Sequence, residues 1–345
     1  MLLIRTYIEI KHYTMKDYCL TEPRYESMGY RRCGRSGILL PEVSLGFWHN
    51  FGSGDDYATC KAIVHSAFDH GVTYMDLANN YGPPYGSAEE TFGRIFADSF
   101  RPHRDELFIA SKAGHDMWPG PYGEWSSRKN LMASLDQSLK RMGLDYVDLF
   151  YSHRPDPNTP VEETMEALVD MVRQGKALYV GISKYPPAMV AKAYDYLESR
   201  HVHCLVYQGR YNMLTRDPES AILTQAADRG VGFVAFSPLA QGLLTDRYLN
   251  GIPEGSRMTK SRFLTASVLT EKLLSALRQL NALALQRGQT LAEMALAWNL
   301  RRPEVTSVIV GASSVAQLER NLKGRENTVF TADESSLIDN ILSTI

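Results

Sequence analysis

From residue 43 to about residue 323 the chain alternates two hydrophobic patterns. Short apolar runs lie at 43–47, 72–76, 107–111, 147–153, 178–183, 204–208, 231–237 and 306–311. Each has the length and composition of a buried strand. Between them run amphipathic stretches, at 57–70, 87–97, 127–142, 161–174, 186–199, 217–229 and 313–323, whose apolar positions recur at helical spacing. Eight strand–helix repeats without an internal break predict an α/β fold, a closed (β/α)8 TIM barrel more than an open sheet. Two additional helices are expected at 268–287 and 290–302, and a last one at 332–343.

Punctuation supports these boundaries. Ser87 with Glu90 three residues on reads as a capping box. Thr159 reads as an N-cap, with Pro160 in the first turn and acids after it. Gly71, Gly143, Gly175 and Gly230 stand where helices end. Ahead of the first strand, 28–33 and 38–40 flank Gly34-Arg35-Ser36-Gly37, a hairpin expected to plug the barrel floor. Residues 1–25 match no element and are expected to form a mobile tail; 26–345 reads as one domain.

Composition narrows the class. The 345 residues are 44% hydrophobic, ample for a large core, and the net charge is −2. A pI near 6.5 gives no general attraction to nucleic acid or to an anionic membrane. No apolar run approaches the length of a transmembrane helix. Arg5, Glu9 and Lys11 interrupt any signal-peptide core. Cys19, Cys33, Cys60 and Cys204 are widely spaced, with no CxxC and no zinc-ligand cluster, so free thiols in the cytoplasm and no metal are expected. No G-x-G-x-x-G follows a strand, since GSGDDY at 52–57 fails at its last position; a doubly wound dinucleotide domain is disfavoured.

In a barrel of this kind the chemistry gathers at the C-terminal ends of the strands. Those ends deliver Gly46, Trp48 and His49, then Asp76 and Tyr81 in DLANNYGPP, then Lys112, His153, Ser183 with Lys184, Gln208, and Phe236 with Ser237. Asp, Tyr, Lys and His from three successive strands form a proton-transfer set. A phenol is a weak acid with a pKa of about 10, and a nearby ammonium lowers that value. A carboxylate keeps the ammonium charged, and imidazole donates to a carbonyl or passes a proton. Such a set suits protonation of an alkoxide as it forms. Each residue alone is more often a cap or a core hydrogen bonder, and Lys112 is also compatible with Schiff-base chemistry.

With D-x4-Y at 76–81, Lys112 in IASKAG and His153 in FYSHRPDPNTPVEET, the sequence resembles the aldo-keto reductases from about residue 28 to 343. The resemblance implies a (β/α)8 barrel, a nicotinamide cofactor and reduction of small, possibly phosphorylated, aldehydes. Tyr81 would be the general acid, Lys112 and Asp76 would tune it, and His153 would orient the carbonyl. One branch of the family, reductases of a small phosphorylated aldehyde, is matched by WHNFG (48–52), SLDQSLKRMGLDYVD (134–148) and PLAQGLL (238–244). Another, cofactor-binding regulatory β-type subunits, is matched by RPDPNTP (154–160) and GIPEGSR (251–257) but carries asparagine where this chain has His153.

The resemblance also implies a cofactor site. Trp48 and Asp76 would flank the nicotinamide, Ser183 and Gln208 would bind its carboxamide with Lys184 beside them, and Phe236 would stack on the ring. The stretch 237–244, with Ser237, Pro238, Leu239, Gln241 and Gly242, would wrap the pyrophosphate through its amides, helped by Arg247 or Arg257. Gly311, Ser313, Gln317 and Asn321 would hold the adenosine end at a helix start. Arg320 stands where near relatives usually have glutamate; it would either favour a ribose 2′-phosphate, hence NADPH, or face solvent. Relatives run longer than Ile345, with a tail that can help close the site or build an oligomer; they form tetramers and octamers, so a homo-oligomer is expected. The loop HDMWPGPYGEW (115–125) would either wall the pocket with Trp118, Tyr122 and Trp125 or form an ordered surface loop or subunit contact, and Arg154 is placed to meet a substrate phosphate or to form a salt bridge under the Asp156 loop.

Overall fold

The computed structural model describes residues 24–254, 258 and 264–345. Eight parallel strands close into a barrel: β3 (Val43–Gly46), β4 (Tyr74–Asp76), β5 (Phe108–Ala113), β6 (Val147–Ser152), β7 (Ala177–Ser183), β8 (Cys204–Arg210), β9 (Gly232–Phe236) and β10 (Val305–Val310), with β10 paired to β3. All eight coincide with the predicted runs. Outside them lie α1 (Tyr57–Asp69), α2 (Ser87–Ile95), α3 (Arg128–Met142), α4 (Val161–Arg173), α5 (Pro187–Ser199), α6 (Ile222–Arg229), α7 (Glu271–Gln286), α8 (Leu291–Leu300), α9 (Val315–Leu322) and α10 (Ala332–Leu342). The large apolar cluster fills the space between strands and helices, as the repeated amphipathic pattern requires.

The second, smaller cluster is the barrel interior. Strand side chains alternate faces, so on each strand every other residue points inward. Tyr74, Ala110, Leu149, Tyr151, Val206, Val234 and Ile309 form this inner layer. Two residues further along their strands come Asp76, Lys112, His153, Gln208 and Phe236. The pleat that buries the inner layer therefore also delivers the candidate site.

The predicted hairpin is present, as β1 (Tyr30–Arg32) and β2 (Leu39–Pro41) paired antiparallel. Cys33 and Leu40 have no exposure and belong to the inner cluster. Arg35 N donates to Gly230 O at 2.8 Å, and Arg31 donates to the carbonyls of Arg302 and Val305 at 3.2 and 3.0 Å. These contacts lie at the N-terminal ends of β9 and β10, so the hairpin seals the floor. Gly34 has φ +55°, and a Cβ there would lie 1.9 Å from Gly230 O; only glycine allows this approach.

Two predicted caps differ. The N-cap of α2 is Gly86, at φ +91° with no side-chain bond, and Ser87 instead donates to Pro84 O at 2.7 Å. At α4 the N-cap is Pro160, while the Thr159 hydroxyl donates to Asp156 Oδ2 at 2.7 Å. In both, the serine or threonine finds an upstream acceptor before the helix begins. The predicted 217–229 helix starts with a 3-10 turn, Asp217–Ser220, before α6. Of the predicted tail, only Arg24 and Tyr25 are among the described residues, and both bond to Glu106. Cys33, Cys60 and Cys204 are free and buried; Cys19 lies outside the described residues.

One buried ion pair ties this scaffold to the site. Glu89 on α2, with no exposure, accepts from Arg141 Nε at 2.7 Å and from Ser111 Oγ at 2.6 Å, and Ser111 is the neighbour of Lys112. Replacing Arg141 by alanine leaves the carboxylate buried without its charge partner. The expected loss in a denaturant titration is roughly 3–5 kcal/mol, with partial recovery when Glu89→Gln is added. An Arg141→Ala protein as stable as the parent would show the pair to be immaterial.

Candidate active site

At the C-terminal mouth of the barrel opens a cleft of about 830 Å3, within the range of small-ligand and cofactor sites. Asp76 lines it, and its partner Lys112 lies buried behind Asp76. Lys112 has no exposure and Asp76 almost none. The ammonium donates to Asp76 Oδ2 at 2.6 Å, to Leu77 O at 2.7 Å and to the Tyr81 hydroxyl at 3.4 Å. Asp76 Oδ1 accepts from Gln208 Nε2 at 2.8 Å and from the Tyr74 hydroxyl at 3.3 Å, and Tyr74 in turn meets the Tyr151 hydroxyl at 2.6 Å. So the pair is fixed by β4, β5 and β8 together, with the phenols of the inner layer beneath it.

Tyr81 follows β4 and stands half-buried at the rim, its ring 4.8 Å from the Lys112 ammonium. His153 follows β6, packs edge-on to Tyr81 at 5.8 Å between ring centroids, and is itself met edge-on by His115 at 4.5 Å. All four members of the proposed proton-transfer set therefore converge at one point.

The electrostatics depart from the sequence expectation in one respect. The Tyr81 phenol is pushed well above its usual value, first by desolvation and then by Asp76. Lys112 does not reverse this, because its charge is already taken up by Asp76 at shorter range. Burial also draws the Lys112 ammonium below its usual value, while Asp76 opposes that shift. His153 is held well below the usual imidazole value by burial and by the cations Lys184 and Lys112, and His115 falls to about 3, chiefly by burial. At neutral pH the site thus presents a protonated phenol and two neutral imidazoles.

Nearly every predicted cofactor residue that is described lines this cleft: Trp48, Lys184, Gln208, Phe236, Ser237, Pro238, Leu239, Gln241, Gly242, Arg247, Gly311, Ser313, Gln317, Arg320 and Asn321. Ser183 is fully buried at the end of β7, beside it. Arg257 lies outside the described residues. Two buried polar atoms, Ser183 Oγ and Asn321 Nδ2, have no hydrogen-bond partner among the described residues. Such groups are costly unless a ligand or water meets them, by about 1–3 kcal/mol each. They sit on β7 and α9. Arg247 and Arg320 are exposed and carry no ion pair among the described residues. The residues present therefore fit a dinucleotide with phosphates.

Some details were not foreseen. The amides of Ala240, Gly242, Leu243 and Leu244 are bonded within their own loop, so fewer amides of 237–244 face an anion than expected. Gln208 has its amide nitrogen on Asp76. The 115–125 loop contributes His115, Asp116 and Glu124 to the wall, not Trp118, Tyr122 or Trp125. Tyr122 is exposed, and Trp125 lies 3.8 Å beneath the Arg154 guanidinium. Arg154 is engaged by Glu124 at 2.5 Å and by Gly114 O at 2.8 Å, so it forms a salt bridge, but to the 115–125 loop and not under the Asp156 loop. His115 and Arg210 also line the cleft; His115 sits three residues past Lys112 and Arg210 two past Gln208, a signal the sequence contained. Among the described residues no group of His, Cys, Asp or Glu could hold a metal ion, and no helix is long and apolar enough to cross a membrane.

Comparison with known proteins agrees with this geometry. The model of the aldo/keto reductase family matches residues 42–343. The L-glyceraldehyde 3-phosphate reductases of Escherichia coli O157:H7 and of Escherichia coli strain K12 are 56% and 55% identical over 321 residues, covering 92% of this chain and 93% of theirs. A probable voltage-gated potassium channel subunit beta of Arabidopsis thaliana is 35% identical over 304 residues, covering 86% of this chain and 90% of its own. With the barrel, the tetrad and the match running together across the same residues, the chain belongs to the aldo/keto reductase family, and with it to the oxidoreductases.

Proposed function

We infer that this protein reduces small aldehydes with NADPH, L-glyceraldehyde 3-phosphate foremost, and methylglyoxal-type carbonyls as side substrates. The observation that supports this most is the convergence of a protonated Tyr81, the Lys112–Asp76 pair and His153 in one cleft. When bound, the reduced nicotinamide supplies the hydride. The chain does the rest. Tyr81 holds a proton at its hydroxyl up to high pH and gives it to the oxygen that the hydride leaves charged. Lys112, 3.4 Å from that hydroxyl, stabilises the phenolate formed at that moment. Asp76 keeps Lys112 aimed, and neutral His153 is placed to donate to the carbonyl oxygen.

For the cofactor, Trp48 and Asp76 would flank the nicotinamide, Phe236 would stack on its ring, Ser183 and Gln208 would meet its carboxamide, and Arg247 or Arg257 would face the pyrophosphate. Gly311, Ser313, Gln317 and Asn321 would take the adenosine end, with Arg320 on a 2′-phosphate. Residues 26–345 would act as one domain behind a tail at 1–25, in the cytoplasm, assembled as a homo-oligomer of four or eight. A regulatory subunit with little turnover is the second reading, suggested by the match to a channel β subunit.

Three outcomes follow. Tyr81→Phe is expected to lower turnover by about 10²–10⁴-fold, while cofactor binding, read from quenching of tryptophan fluorescence, stays close to the parent. Lost binding in a folded variant would remove Tyr81 from its assigned role. Arg320→Ala should weaken NADPH by about tenfold and leave NADH nearly unaffected in equilibrium titrations; an equal effect on both cofactors would place Arg320 in solvent. His115, held at about 3, should stay neutral, with imidazole NMR shifts flat from pH 8 down to pH 5. A midpoint near the ordinary histidine value of about 6.5 would show the ring to be open to water.

A further inference from the structure

The cations around the cleft fall into separate groups. Arg154 is committed to Glu124 and Gly114 O. Arg247 and Arg320 share their stretches of the wall with the loop after β9 and with α9. Lys184 and Arg210 are different. Lys184 follows the last residue of β7, and Arg210 is the last residue of the neighbouring β8. Both approach Phe236, with Nζ at 5.6 Å and Cζ at 5.9 Å from its ring centroid.

Neither has a carboxylate at ion-pair distance among the described residues. Lys184 Nζ donates to His115 Nε2 at 3.3 Å, and His115 packs on His153, which packs on Tyr81. Contact is therefore continuous from the proton donor to this ammonium. Lys184 holds a left-handed φ of +62°, a conformation costing a non-glycine residue about 1 kcal/mol. Lys184 is also pushed down to about 8 by desolvation and by Lys112, Arg154 and Arg210. Lys112 and Arg154 are matched by Asp76 and Glu124, whereas Lys184 and Arg210 stand exposed at the cleft wall, where an anion can reach them.

We propose that Lys184 and Arg210 form a phosphate subsite that holds the phosphoryl group of the substrate while its carbonyl lies between Tyr81 and His153. This deepens the reductase reading and rests on it. The chemistry recognised is a phosphate ester; its source is the aldehyde, and the competing source is the cofactor's own pyrophosphate.

The experiment compares the parent with Lys184→Gln, Arg210→Gln and Lys184→Arg, all as the full chain. Initial rates with NADPH are measured on glyceraldehyde 3-phosphate and on unphosphorylated glyceraldehyde. The ratio of kcat/KM, phosphorylated over unphosphorylated, should fall about tenfold in each glutamine variant, as expected for one lost charge-assisted hydrogen bond, and return with Lys184→Arg. Equal losses on both aldehydes, or a parallel rise in the Kd for NADPH, would assign these cations to the cofactor and overturn the proposal. A second arm needs no turnover. Calorimetric titration of the NADP-loaded protein with glycerol 3-phosphate should show binding about tenfold weaker in each glutamine variant. Undiminished binding there overturns the subsite whatever the rates. An idle parent enzyme that still shows this loss would sink the reductase reading and leave the subsite standing.

Discussion

The Lys112–Asp76 pair is the constraint around which this barrel is arranged. Two ionised groups with almost no access to water are tolerated only when every remaining hydrogen-bonding direction is met, since removing each from solvent costs several kcal/mol. Here the ammonium has Asp76, Leu77 O and Tyr81, and the carboxylate has Gln208 and Tyr74 besides. Those partners come from β4, the segment after it, and β8, on different sides of the barrel. The pair thus works as a tie across the interior, and its orientation is set by strand register more than by any loop.

The same burial shapes the reactivity above it. A phenol in bulk water beside a lysine would lean toward phenolate. Near this pair it leans the other way, because the lysine's field is largely cancelled by Asp76 while desolvation remains. The histidines respond likewise and stay uncharged, each keeping one N–H donor. A phenol held protonated beside two uncharged imidazoles is an arrangement from which a proton can be given.

Much of this was legible in the chain because a strand has a period of two. Given Tyr74 inside, Asp76 is inside; given Tyr151 inside, so is His153. The barrel followed from eight such runs and the helices between them. What escaped was decided by local backbone geometry. Ser87 and Thr159 have the chemistry of caps, but the chain turned so that Pro84 O and Asp156 took their hydroxyls. In the 115–125 loop the aromatic residues drew attention, yet Trp125 turned under Arg154, and the small polar residues faced the cleft. Gln208 is expected from the sequence to bind a cofactor, whereas its amide nitrogen supports Asp76, a contact that no spacing reveals.

The hairpin across the floor divides labour between the two ends of the barrel. Cys33 and Leu40 pack beneath the filled inner layer, so the lower end is closed by groups that take no part in the cleft at the opposite mouth. Changes in the floor would thus register in stability, and changes at the rim in what the cleft can hold.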